Sequence, residues 1–170
     1  MEMLIVKDWI RRQAKKYAHV VFIAGNHDIN FHRNIYDNFP DNVHHLQDSM
    51  ETVEGINFYG SPYTPRFGNW GFGEPEEQLI TRFSHIRKDT DVLITHGPAY
   101  SILDKNHHGE CCGSKALYQR IKQLKHLKYH VFGHIHESYG IEQIENVKFC
   151  NVSILDEHYK IKNKPTIIEI

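Results

Sequence analysis

The sequence predicts an α/β fold, and three observations carry that reading. Short β-type apolar runs alternate with stretches patterned as amphipathic helices. Several runs are apolar throughout, as in strands buried on both faces of a sheet. Three of them stop in a histidine flanked by glycine. Val20-Val21-Phe22-Ile23-Ala24 runs into Gly25-Asn26-His27-Asp28. Asp91-Val92-Leu93-Ile94 runs into Thr95-His96-Gly97-Pro98. Tyr129-His130-Val131-Phe132 runs into Gly133-His134-Ile135-His136-Glu137. Loops at the carboxyl ends of strands are where open α/β sheets build sites, so one shared site at one sheet edge explains all three endings.

The elements follow in order. Val6, Ile10, Ala14 and Tyr17 fall at helical spacing opposite Arg11, Arg12, Lys15 and Lys16, which predicts a helix over 3–18. The strand at Val20–Ala24 comes next. Residues 29–41 read as irregular, and Val43–Leu46 as a short strand. His44 and His45 point to opposite faces of it and are read as structural. Met50–Val53 and Ile56–Tyr59 flank Glu54-Gly55 as a hairpin. The segment from Gly60 to Gly73 is rich in Gly, Pro and aromatics, and reads as a loop packed beside the site, with Arg66 solvated at the surface or else meeting an anionic substrate. Residues 76–86 are helical in composition. The polar stretch from Pro98 to Gly113 suits a flap over substrate or a solvated loop. Ser114 is placed to cap a helix that buries Leu117, Ile121 and Leu124. Tyr139–Ile144, Val147–Val152 and Thr166–Ile170 are β-type.

Composition bounds the function. The chain has 170 residues and is read as a single domain, with 20 basic and 21 acidic residues and a net charge of −1. No basic run supports nucleic-acid binding, and no apolar run is long enough for a membrane span. Three cysteines, two of them adjacent, fit reduced thiols and a cytoplasmic protein. Cys111-Cys112 lacks the fixed base that a thiolate nucleophile needs. The outlier is histidine, at 14 residues.

The strand ends carry the chemistry. Asn26 offers a neutral carbonyl oxygen, His27 an acid, base or ligand, and Asp28 a charge able to orient His27. In extended backbone His134 and His136 point to the same side, as two imidazoles for a first-row metal, and Gly133 lets the backbone come close.

The three motifs, in this order and each after a strand, resemble the calcineurin-like metallophosphoesterase superfamily. The loop from Gly60 to Phe72 and the ending Asn163-Lys164-Pro165-Thr166 resemble its subgroup of metallophosphoesterase-domain-containing proteins, which are thought to be phosphodiesterases. The resemblance covers the chain from about Val20 onward. It implies a four-layer α/β/β/α sandwich lacking its first strands, and divalent metal cofactors (Mn, Fe or Zn). It makes Asn26, His96 and His134 ligands of one ion and His136 a ligand of the other. It makes His27 the catalytic acid, held by Asp28, while a metal-activated water attacks phosphorus of a phosphoester substrate. It identifies no substrate-binding residue.

The family pattern opens with Asp-x-His and Gly-Asp, and neither is present in the sequence. Asn26, His96 and His134 are neutral donors and by themselves hold a hard cation weakly; His136 is left nearly alone. The expectation is an N-terminally truncated domain, with three alternatives: a fragment, strands supplied by another chain, or a degenerate relative kept as a catalytically impaired or inactive scaffold.

Overall fold

The computed structural model describes residues 2–28 and 39–170, and side chains from residue 5 onward. The helix α1 spans Glu2–Ala14 and buries Ile10. It stops short of the expected residue 18. The side-chain amide of Asn42 donates to the carbonyls of Ala14 (2.9 Å) and Tyr17 (3.1 Å), answering groups that a helix end leaves open.

The strand β1 (Val20–Phe22) pairs in parallel with β2 (Val43–His45), with Val21 opposite His44. All three β1 residues are half-buried. The expectation of a strand buried on both faces therefore fails: among the described residues only β2 pairs with it. His44 approaches His19, and His45 stacks on Phe22 with centroids 4.7 Å apart. Neither lines the cavity described below, as the structural reading of both expected. The irregular stretch expected over 29–41 falls, for 29–38, outside the described residues.

The principal sheet has six strands in the order β3-β4-β7-β8-β10-β9. β3 (Ser49–Val53) and β4 (Ile56–Ser61) form the expected antiparallel hairpin. Its turn residues Glu54 and Gly55 have φ of 49° and 83°, matching the right-handed twist of the pair. Two short bridging strands, β5 (Thr64–Pro65) and β6 (Gly73–Glu74), tie the ends of the aromatic loop together. After helix α2 (Glu76–Ser84), strand β7 (Val92–Thr95) runs parallel to β4. Helix α3 (Lys115–Ile121) leads to β8 (Tyr129–Phe132), parallel to β7. β9 (Gly140–Ile144) turns back into β10 (Val147–Asn151), which inserts in parallel beside β8.

Alternation along these strands builds two apolar faces. Tyr59, Leu93, Phe132 and Phe149 join Leu79, Phe83, Leu117 and Ile121 of the two helices in the larger cluster. Val92, Tyr129 and Cys150 form the smaller one. Ile168 packs against that second face, and the Tyr129 hydroxyl donates to the Glu169 carbonyl. The tail therefore crosses a sheet face instead of pairing at an edge, and the β-type stretch at 166–170 is not a strand.

Two polar junctions lock the helices. The Ser114 hydroxyl accepts from Leu117 N–H at 3.1 Å, as expected of a cap. The carboxylate of Glu76, at the start of α2, also accepts from Lys115 and Ala116 N–H and from the Ser114 hydroxyl. In the second junction Arg82 bonds Asp48 at 2.7 Å and Glu74, while its guanidinium lies 3.3 Å from the Tyr63 ring centre. Among the described residues no helix is long and apolar enough to cross a membrane. The architecture agrees with the α/β class, with a central sheet of many strands, and is consistent with a metallophosphoesterase fold.

Candidate functional site

The ends of β1, β7 and β8 open onto one cavity of about 760 Å³. Asn26, His27, Asp28, His96, His134 and His136 all line it. Parallel pairing brings the ends of β7 and β8 together, because strands running the same way deliver their carboxyl ends to the same side, while β1 reaches the cavity from the separate sheet it forms with β2. The Gly133 N–H donates to the His96 carbonyl (3.1 Å) and the His96 N–H to the Ser61 carbonyl (3.2 Å). The expected loop placement also holds: Trp70 is part of the lining, and the Gly71 N–H donates to the Asn26 carbonyl at 3.2 Å.

His96 Nε2 lies 2.6 Å from Asn26 Oδ1 and 3.2 Å from the Asn26 backbone nitrogen. One ring nitrogen cannot donate to the first and accept from the second in the same tautomer. If it accepts, two lone pairs face each other at Oδ1 and Nε2, an arrangement that a cation between them relieves. The His134 ring stands 4.5 Å from that of His96, centre to centre. Burial, and then the neighbouring histidines, push His96 down to about 3 and His134 down to about 4. Both rings are neutral at pH 7, the form that ligates metals.

His136 is prepared differently. Its Nδ1 sits 2.7 Å from the Asp156 carbonyl, an acceptor only, so Nδ1 carries the proton and Nε2 keeps its lone pair. A carbonyl behind a histidine in this way fixes the tautomer of metal-binding imidazoles generally.

The donors fit part of a metal shell. Asn26, His96 and His134 suit one divalent ion, but they bring no negative charge. Among the described residues no three His, Cys, Asp or Glu side chains form a metal-holding group. Asp28 lines the cavity, and its Oδ2 accepts from Gly25 N–H at 2.9 Å. That bond departs from the expected role of holding His27. His27 Nε2 instead lies 3.5 Å from the Tyr159 hydroxyl.

The local backbone departs from the sequence reading at two points. His134 has φ +70°, and the Ile135 N–H donates to the Gly133 carbonyl at 2.8 Å. This is a γ-turn of positive φ, the rarer and more strained kind. His136 then begins a short 3₁₀ helix, His136–Ser138. The two imidazoles reach one cavity through this turn and not through extended backbone. Gly133 is also not the tight position, for a Cβ there meets only Ser153 Oγ at 3.4 Å. Gly25 and Gly97 are tight: a Cβ would stand 2.9 Å from His96 Cε1 and 2.3 Å from Thr64 Oγ1, respectively.

A model of the calcineurin-like phosphoesterase family matches residues 4–138. The chain belongs to that family. Among its relatives, human metallophosphoesterase domain-containing protein 1 is 32% identical over 181 residues, covering 91% of the chain and 56% of the relative. A UPF0046 protein of Caenorhabditis elegans is 35% identical over 130 residues, covering 76% of the chain and 33% of that protein. An uncharacterized protein of Methanocaldococcus jannaschii is 27% identical over 150 residues, covering 81% of the chain and 65% of that protein. The phosphoesterase domain thus spans about half the length of the human relative it matches. Calcineurin-like phosphoesterases generally use divalent metals.

Sequence reasoning missed three contributors to this cavity. Tyr159 stands 5.9 Å from His27 and 5.6 Å from His136, ring to ring. The Asp156 carbonyl lies behind His136. Glu137 accepts from the His107 N–H and ring, at 3.1 and 3.3 Å, and so latches the loop before α3 to the site. Partial burial works against ionisation of Glu137, but these hydrogen bonds outweigh it and hold its carboxyl below the usual range. A backbone carbonyl carries no sequence signal, and Tyr159 lies in a turn 23 residues beyond His136 with no motif around it.

Proposed function

We propose that this domain hydrolyses phosphoesters, phosphodiesters in particular, with a divalent metal such as Mn, Fe or Zn. The observation that supports it most is the junction of Asn26, His96 and His134: two neutral imidazoles and an amide oxygen at one point of a cavity that also holds His27 and His136. Asn26, His96 and His134 would hold one ion and His136 would face a second, and such ions would neutralise charge at phosphorus and acidify water. The chain's own groups do the rest. His27, exposed at the cavity, delivers a proton to the leaving oxygen. The Tyr159 hydroxyl and the Trp70 ring flank His27 and restrict its swing. Burial keeps His96 and His134 from taking up that proton instead.

The test is hydrolysis of bis-p-nitrophenyl phosphate with added manganese. It is run on this chain and on a longer form carrying the Asp-x-His and Gly-Asp segments, each with His27→Ala and His134→Ala. Hydrolysis that either substitution abolishes is the expected result. Absence of turnover in both forms refutes catalysis. A second reading, a non-catalytic metal-binding scaffold, is favoured by the lack of a carboxylate among the described donors. Manganese binding sensitive to His134→Ala, without turnover in either form, selects it.

A further inference from the structure

His134, at φ +70°, holds a strained conformation that persists only where surrounding structure imposes it. Something must therefore hold the loop between Gly133 and His136. The fully buried Asn151, the last residue of β10, is in place to do so. Its Nδ2 donates to the Ile135 carbonyl at 2.8 Å and to the Leu103 carbonyl at 3.2 Å. Its Oδ1 accepts from the Ser153 N–H at 3.1 Å. Both amide hydrogens are used, each on a different loop of the cavity rim. Ile135 lies between the two histidines and is itself only 7% exposed, so its carbonyl has little water to turn to. The Ile135 peptide is gripped from both sides: its N–H closes the γ-turn onto Gly133, and its carbonyl takes the Asn151 amide and the Ser138 N–H.

We propose that Asn151 is the positioning residue of the His134–His136 loop, holding the γ-turn that aims both imidazoles into the cavity. The same amide, through Leu103, ties that loop to the segment leading into α3, so the two rims of the site share one anchor. Asparagine suits the position because it is short, neutral and offers two donors to two carbonyls. Aspartate has the same shape but sets an oxygen against both carbonyls. Alanine takes the amide donor from both carbonyls and leaves the Ile135 carbonyl with the longer Ser138 N–H bond alone. That this positioning serves phosphoester chemistry rests on the function proposed above; the positioning itself does not.

The experiment compares wild type with Asn151→Ala and Asn151→Asp by imidazole ¹⁵N NMR and amide hydrogen exchange, on metal-free protein without substrate. Phe83→Leu, a core change in α2, serves as a control for general destabilisation. The expected result is displaced or split signals for His134 and His136, and exchange at Ile135 faster by about tenfold, the loss of one hydrogen bond's worth of protection. The His130 signals stay in place, and Phe83→Leu reproduces neither change. Unmoved His134 and His136 signals in both Asn151 variants overturn the proposal, as do equal changes in Phe83→Leu. Should the Asn151 variants be too unstable for NMR, urea unfolding compares the same substitutions in wild type and in His134→Gly, where glycine accepts the positive φ. Asn151→Ala should then lower the folding constant by about threefold less when the double variant is compared with its parent than in wild type. An equal loss in the two backgrounds overturns it. Because no metal or substrate enters, a wild type that hydrolyses nothing counts against the proposed activity and not against the positioning.

Discussion

His130 offers a sharp test of how the interior under the site is built. Its ring is fully buried in β8, between Phe132 at 4.6 Å and Phe149 at 5.6 Å. Thr95 Oγ1 lies 2.7 Å from the Gly97 carbonyl and 2.7 Å from His130 Nε2. The hydroxyl proton goes to the carbonyl, so Nε2–H donates to Thr95. Nδ1 is left bare, without a hydrogen-bond partner among the described residues. Burial pushes His130 down to about 3. Unfolded, the same ring titrates near 6.5. The unfolded state therefore takes the proton first as pH falls. The stability this neutral ring contributes is fully present above pH 6.5 and is lost progressively toward pH 3. One proton contributes a slope of about 1.36 kcal/mol per pH unit inside that window. From well above pH 6.5 down to pH 4.5 this amounts to about 2.7 kcal/mol. His96 and His134 add slopes of the same sign and remain in the variant. His130→Gln keeps a donor for Thr95 and removes the titration. Urea unfolding at half-unit steps from pH 7 to 4.5 should give two curves that converge as pH falls, wild type losing about 1.36 kcal/mol per unit more than His130→Gln. Parallel curves over that range refute the reasoning, whatever their vertical offset.

Gly25→Ala sets a methyl 2.9 Å from His96 Cε1, short of ordinary contact by more than half an ångström, while the Gly25 N–H can still reach Asp28. It should cost about 1–3 kcal/mol in urea unfolding and shift the His96 ring signals, with any manganese-dependent hydrolysis falling about 100-fold. Glu76→Ala removes a carboxylate from two N–H groups and a hydroxyl at the start of α3. A loss of about 1–2 kcal/mol is expected, and a change within error would show that Ser114 caps the helix alone. Thr95→Val leaves the Gly97 carbonyl and His130 Nε2–H without their partner in a site that is 1% exposed. Thermal unfolding should register about 2–4 kcal/mol, and a neutral result would mean that water reaches both groups.

Much of the frame was legible because periodicity and burial agreed. The runs ending at Thr95 and Phe132 had to be strands, and parallel pairing brought their histidines to one edge. The hairpin at Glu54-Gly55 and the Ser114 cap followed from local chemistry. The reading failed where a tertiary contact overrode a local rule. Alternation placed His134 and His136 on one side of a strand, yet the chain leaves the strand at Gly133 and turns through positive φ. That turn needs Asn151, 17 positions later, and no local pattern marks an asparagine as the anchor of a distant loop. The α1 helix stopped early because Asn42 caps it from another element. Ile167 and Ile170 looked like strand residues, but they are exposed in a tail that no strand edge receives.

The cluster around Arg82 constrains how this sequence can drift. Asp48, Glu74 and Arg82 retain only 19%, 17% and 27% of their side-chain exposure. Two acids and one base, packed on Tyr63, come from a turn, a short bridging strand and a helix. Neutralising Arg82 alone leaves two carboxylates facing each other where water is scarce, and neutralising either acid leaves a single ion pair; an apolar replacement of all three together is often tolerated. The three positions are therefore coupled, and a variant that loses Arg82 should regain stability when Asp48 or Glu74 is made neutral as well.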